Sequence, residues 1–330
     1  MNVTPAFSLS EELLARLHDL LVLGSGKHEM ILRISDWPQA GGQTNVDILQ
    51  SHNEAGGSGL NVAVVAARLG GSSALVAAVG NGRYGQSVWE EMARSGVDQR
   101  FVQRIEESEG NLLIILTRED GDWIVMQEND PRVQLSLTQL PSSHDMSHYK
   151  IMHIDGFSYI EENQRTIIEA GIVRARAAGC LVSIDTSVPT VELDVAAVIR
   201  LFRQSDLIFL NAFEAERVTG ESDISKVIDQ LRTLDASLVV LKMGDQGSWL
   251  ITADGVLEMP AFIVEVVDSI AAGDSYAGAF LLGLCRGQSL TQAAQWGSAA
   301  GALACLGIGS LSHRFDMEKL GSFIQANAEK

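Results

Sequence analysis

DSIAAGDSYAGAF, residues 268–280, follows an apolar strand-like run, Phe262 to Val267, and leads into an apolar helix, Tyr276 to Leu284. A strand, a tight turn of small residues and a helix N-terminus in that order form an anion site. Free backbone N–H groups point outward there, and the helix dipole favours negative charge. Ala271, Ala272 and Gly273 are small enough to bring an anionic group close to the backbone. Asp274 stands at the mouth of the same helix. A carboxylate beside an anion site is costly unless it has a task. The natural task is to take a proton from a hydroxyl that then attacks a bound phosphoryl group. The plainer reading is helix capping, with Asp268 and Ser269 closing a loop. The joint occurrence of strand, turn, acid and helix is more specific than that.

Outward from this stretch the chain alternates strand-length apolar runs with helical patterns. Ala74 to Val79 and Phe101 to Arg104 read as strands around a helix from Gly85 to Ser95. Ile151 to Ile154, Leu181 to Ile184, Leu207 to Leu210 and Leu238 to Leu241 follow, separated by helices over Glu161–Ala178, Asp194–Arg203 and Ile224–Leu234. Such β-α-β repetition predicts an α/β fold with a doubly wound, mostly parallel sheet flanked by helices. Ligands in such sheets gather at the C-terminal strand ends. Asp155, Asp185, Asn211, Lys242 and Asp268 stand just past such ends, although loop capping explains each of them equally well.

Leu20 to Leu23, running into Gly24-Ser25-Gly26, reads as the first buried strand. The third glycine of a dinucleotide fingerprint is missing, which argues against a nicotinamide-cofactor oxidoreductase. No GxxxxGK[ST] string occurs either, so phosphate binding needs another device. Two stretches, about 31–55 and 110–128, alternate apolar and polar residues around turns, the second through Asp120-Gly121. They predict two hairpins forming a small sheet that stands off the main one. Residues 56–71, GGSGLNVAVVAARLGG, read as a glycine-rich entry to a packed helix, with Gly56 and Gly57 allowing close backbone approach and Asn61 offering an amide to a ligand.

The bulk properties narrow the function classes. Forty-two acids against 24 bases give a net charge of −18, which argues against nucleic-acid binding. No apolar run reaches membrane-span length. The N-terminal stretch does not read as a secretory signal; Ser8 with Glu11 reads as a capping box opening an amphipathic helix. Cys180, Cys285 and Cys305, without CxxC spacing, read as small buried thiols in a reducing cytoplasm and make no zinc site.

The strings at 56–61 and 268–274 resemble the N-terminal G-G-x-x-x-N and C-terminal D-T-x-x-A-G-D signatures of the ribokinase-like (PfkB) family of carbohydrate kinases, with Ser269 in place of the usual Thr. The resemblance implies one ribokinase-like domain over residues 1–330, with the small sheet as a lid that also serves as a homodimer contact. It implies an ATP-dependent kinase acting on a hydroxymethyl group of a sugar, with a nucleoside kinase and an inactive sugar- or nucleotide-binding regulator as alternatives. Asp274 is then the catalytic base, and the amides of Ala271, Ala272 and Gly273 form the hole for the transferring phosphoryl group. The acceptor would meet Lys27, Glu29, Gly56, Gly57, Asn61 and Asp155. The family usually carries Asn and Asp where this chain has Lys27 and Glu29. ATP would meet Asn211, Lys242, Gly244, Gly247, Gly273 and Ser298. Glu214, in the string N-x-x-E from Asn211, would act on Mg²⁺ through water. Asp268 and Ile270 would help to hold a K⁺ beside the anion hole. For a nucleoside, Trp37 or Ile48 would supply the slot for the base.

Overall fold

The computed structural model describes residues 5–39, 41, 45–118 and 123–328. Among these residues thirteen strands build two sheets. The strands are β1 His18–Leu23, β2 Lys27–Ile34, β3 Ile48–Gly56, β4 Ser73–Gly80, β5 Asp98–Ile105, β6 Leu112–Thr117, β7 Trp123–Glu128, β8 Tyr149–Asp155, β9 Leu181–Asp185, β10 Leu207–Asn211, β11 Leu238–Lys242, β12 Ser248–Ile251 and β13 Val256–Met259.

The larger sheet has the order β13-β12-β11-β10-β9-β8-β1-β4-β5. It is parallel from β11 to β5, with β12 and β13 antiparallel at one edge. Its central strands are apolar throughout because helices cover both faces. In β1 the side chains alternate between faces: Leu21 and Leu23 join the core under the helices Glu162–Ala177 and Val195–Phe202, whereas Leu20 and Val22 join the core under Ser58–Arg68 and Ala272–Cys285. All four are at most 1% exposed, and each buried leucine contributes roughly 2 kcal/mol. The helices Ser58–Arg68 and Ala272–Cys285 pack closely, since a Cβ on Gly278 would lie 2.8 Å from the Val62 carbonyl oxygen. That contact brings the two motif-bearing helix starts together.

The order reverses at β1, which lies between β4 and β8. A crevice opens at the strand ends at such a point. From here the chain leaves through Gly24-Ser25-Gly26 into the second sheet, of order β3-β2-β6-β7. Its β6–β7 pairing joins Leu112 to Glu128 and Thr117 to Trp123. The Asp120-Gly121 turn lies outside the described residues. One face of this sheet meets the body: Glu54 accepts the Leu311 N–H at 3.3 Å and the Ser312 hydroxyl at 2.8 Å, and Glu29 accepts the Ser310 hydroxyl at 2.6 Å.

Three expectations need correction. Phe262 to Val267 is not a strand; it is irregular, with Ile263 76% exposed, and only Val267 N–H reaches a carbonyl, that of Cys305. The edge strand β13 ends at Met259, before Pro260, which has no N–H to continue the ladder. The first helix is a single turn, Glu11–Leu14, capped by Ser10 and not Ser8. Cys305 is half-buried, unlike Cys180 and Cys285.

Candidate active site

The Ala272–Cys285 helix opens without a capping side chain. Its N-cap residue, Ala271, takes φ +57°, a left-handed conformation that costs a non-glycine residue about 1 kcal/mol. The turn leaves the Ala271 and Gly273 N–H groups without a hydrogen bond among the described residues, while Ala272 N–H makes a long one, 3.3 Å, to the Ser269 carbonyl. Asp274 does not cap its own helix. Its Oδ1 accepts the Ser58 hydroxyl at 2.6 Å and its Oδ2 accepts the Asn61 Nδ2–H at 2.8 Å, both from the neighbouring helix. Burial of the carboxyl group, opposed by these two hydrogen bonds, holds its pKa up to about 6. The capping explanation of Asp274 is therefore set aside.

Asp155, at the end of β8, is buried and fully engaged. Its Oδ2 accepts the Ser25 N–H and hydroxyl at 3.0 and 2.8 Å and the Gly59 N–H at 3.3 Å, and its Oδ1 accepts the Phe157 N–H at 2.8 Å. It ties the end of β1 to the start of the Ser58–Arg68 helix. Glu29 is 3% exposed and accepts the Gly57 N–H at 2.8 Å. Burial pushes its carboxyl up to about 7. A Cβ at Gly56 would lie 2.2 Å from this carboxyl, so that glycine makes room for Glu29. Gly57 needs its freedom for φ +94°.

Two clefts flank these residues. One, of about 250 Å³, is lined by Gly24 to Lys27, by Asn129 and Gln134 near the lid, and by Phe157, Ser158 and Glu161. The other, of about 320 Å³, brings together Lys242, Gly244, Gly247, Gly273 and Ser298, with Phe262, Ile263 and Val264 as an apolar wall. Lys242 Nζ pairs with Asp185 at 2.5 Å and stands 3.1 Å from where a Gly273 Cβ would be. Although burial opposes its charge, Asp185 and Glu214 keep the Lys242 ammonium pKa above its ordinary value. Asn211 lies outside that cleft and forms a capping box with Glu214, whose carboxyl is pushed up to about 7 by burial. Asp268 stitches two loops: its Oδ1 accepts the Ile270 N–H and its Oδ2 the Gly309 N–H, both at 2.9 Å. Among the described residues no three His, Cys, Asp or Glu side chains cluster to cage a metal.

The family model for pfkB family carbohydrate kinases matches residues 28–313. The chain belongs to the pfkB family. Fructokinase-2 of Oryza sativa subsp. japonica is 26% identical over 262 residues, covering 75% of this chain and 78% of its own. The 2-dehydro-3-deoxygluconokinase of Bacillus subtilis (strain 168) is 28% identical over 281 residues, covering 82% and 86%. A crystal structure of a fructokinase double mutant from Vibrio cholerae O395, bound to fructose, ADP and potassium ion, shares the fold with TM-score 0.78 at 22% identity, covering 94% of this chain and 99% of that one.

Some features of this pfkB site carry no local signal. Ser58 meets Asp274 across 216 residues. Asp185 as partner of Lys242 and Ser310 as partner of Glu29 join segments 57 and 281 residues apart. Only the folded sheet order brings such pairs together. The apolar wall at 262–264 was visible as an apolar run, but its role depends on its not being a strand.

Proposed function

We propose that this pfkB carbohydrate kinase transfers the terminal phosphoryl group of ATP to a hydroxymethyl group, with Asp274 as the base. One observation carries the assignment. Asp274 is aligned by Ser58 and Asn61 at the mouth of a helix where the Ala271 and Gly273 amides are open. In this reading Asp274 takes the hydroxyl proton, and the N–H groups of Ala271, Ala272 and Gly273 stabilise charge on the moving phosphoryl. Asn61 Oδ1 is buried without a hydrogen-bond partner beside the base.

The 320 Å³ cleft is the ATP site in this reading, with the base against Phe262 to Val264 and Ser298 and the phosphates towards Lys242 and Gly273. Asn211 acts there by holding Glu214 through their capping box. The hard carboxylate oxygens of Glu214 suit Mg²⁺ held through water, and the raised pKa of Glu214 means that a nearby cation would be favourable. Mg²⁺ there would supply charge neutralisation on the phosphates. K⁺ would sit at the loops joined by Asp268, whose two oxygens each keep a second lone pair.

The lid, residues about 31–55 and 110–128 of one ribokinase-like domain, covers the 250 Å³ cleft as the acceptor site. Its outer strand β7 exposes Trp123, Ile124 and Met126, each 46–54% accessible, which supports a homodimer formed through the lid. Three free thiols fit a reducing cytoplasm. Trp37 stacks under Arg118 at 5.8 Å and Ile48 is 58% exposed, and neither lines the acceptor cleft. The reading is tested by ADP release with ATP, Mg²⁺ and K⁺ against pentoses, hexoses, sugar acids and nucleosides. Release that depends on one acceptor class and disappears in Asp274→Asn supports it; ligand binding without ADP marks a regulator instead.

A further inference from the structure

We propose that the acceptor is an anionic polyol, a sugar bearing one carboxylate, and that Lys27 pairs with that carboxylate. The inference rests on the kinase reading above and names the substrate class of the same site. Lys27 opens β2, three residues beyond Gly24, and lines the cleft whose floor is fixed by Asp155. Asp155 also holds Gly59, next to the Ser58 that binds Asp274, so one hydrogen-bonded chain of residues runs from the cleft floor to the base.

The other lysines in sheltered positions show what is missing at Lys27. Lys150 pairs with Asp19 at 2.7 Å, and Lys242 pairs with Asp185 at 2.5 Å. Lys27 Nζ instead donates to Gln127 Oε1 at 2.9 Å and Asn129 Oδ1 at 3.4 Å, two neutral amides. No ion pair joins it to a carboxylate among the described residues. Burial presses the ammonium pKa downward, while Asp155, Glu161 and Glu29 oppose that from a distance. An ammonium has three protons, and a desolvated one gains most from a charged acceptor in contact. The ligand is the part of the complex left to supply it.

The charge of that acceptor follows from the walls. Glu161 and Asp130 line the same cleft, Asp130 paired with Arg132 at 2.6 Å, and the Asp155 carboxylate lies under its floor. A carboxylate brings one negative charge to one ammonium. A phosphate dianion would set surplus charge against these acids. Gln134 and Gln164, also in the wall, are neutral groups suited to hydroxyls.

The test compares a 2-keto aldonic acid with the neutral ketose of the same chain length and with its phosphate ester. ADP release is measured, and binding without ATP is followed by calorimetry. In the unaltered protein the acid is expected to exceed the ketose in kcat/KM and in affinity by about 10- to 100-fold, the worth of one charged hydrogen bond. Lys27→Met should bring that ratio to about one, and Lys27→Arg should restore much of it. Equal use of acid and ketose, a ratio unmoved in Lys27→Met, or preference for the phosphate ester would overturn the carboxylate assignment and leave the kinase standing. Acid binding that depends on Lys27 without ADP from any acceptor would overturn the kinase reading and support the anion site. Failure of the acid to bind at all would overturn the inference whatever the assay shows.

Discussion

The two sheets meet over one cleft but are fixed to it by different means. The nine-stranded sheet is buried on both faces, and its strand ends are locked by saturated polar groups such as Asp155. The lid rests on the body through one face, where Ile31, Ile34, Leu112 and Ile115 are buried, and through polar contacts such as Glu29 to Gly57 and Ser310, and Glu54 to Leu311 and Ser312. Its far strand, β7, is exposed along its whole length. The contrast teaches a division of labour. Under the proposed kinase reading, chemistry that tolerates little displacement stands on the half packed on both faces, and acceptor choice stands on the half packed on one face.

The sharpest test of that division is Asp274→Asn. It keeps the size of the side chain and removes the base, so turnover should fall roughly 10²- to 10⁴-fold with an unchanged melting curve. In the unaltered enzyme kcat/KM should fall as pH drops through about 6, because the base must be ionised and burial raises its pKa to that value. A flat acid limb with full activity in Asp274→Asn would remove this residue from the chemistry.

A smaller loss is expected when the alignment alone is disturbed. Ser58→Ala or Asn61→Ala each removes one hydrogen bond to Asp274, and each should lower kcat by about 10-fold and move the acid limb to higher pH. An unmoved limb would show that the neighbouring helix does not tune the base.

On the lid side the comparison predicts a pH-sensitive attachment. The folded pKa of Glu29, about 7, lies above its ordinary value of 4.5, so the folded chain holds that proton more tightly. Its contribution to stability is full below about 4.5 and is lost as pH rises through 7. Glu29→Gln should therefore raise stability at pH 8 by about 2 kcal/mol relative to its effect at pH 5, read from urea midpoints. An equal effect at both pH values would place the proton elsewhere.

The mildest expected effect on catalysis is that of Ile124→Lys on β7. It should weaken self-association at least about tenfold by sedimentation, since a buried lysine would cost the interface its apolar contact. Turnover should change less than about twofold, because Ile124 lies in neither cleft. An unchanged sedimentation coefficient would argue that β7 is not the contact.

Local sequence determined much of this molecule. Strand-length apolar runs placed β8 to β11, the alternation at 112–117 and 123–127 placed the second lid hairpin, and the small-residue turn at 271–273 placed a helix mouth beside an acid. These are effects of neighbouring residues: side-chain period, backbone sterics and unsatisfied helix ends. Local sequence misplaced the strand at 262–267 and the cap at Ser8, where the outcome depended on an available partner. Tertiary structure alone decided that Asp274 answers to Ser58 and Asn61, that Lys242 is paired with Asp185, and that Lys27 faces a cleft without a carboxylate partner among the described residues. Those relations join residues tens to hundreds of positions apart, and no local period records which strand ends the sheet order will set side by side.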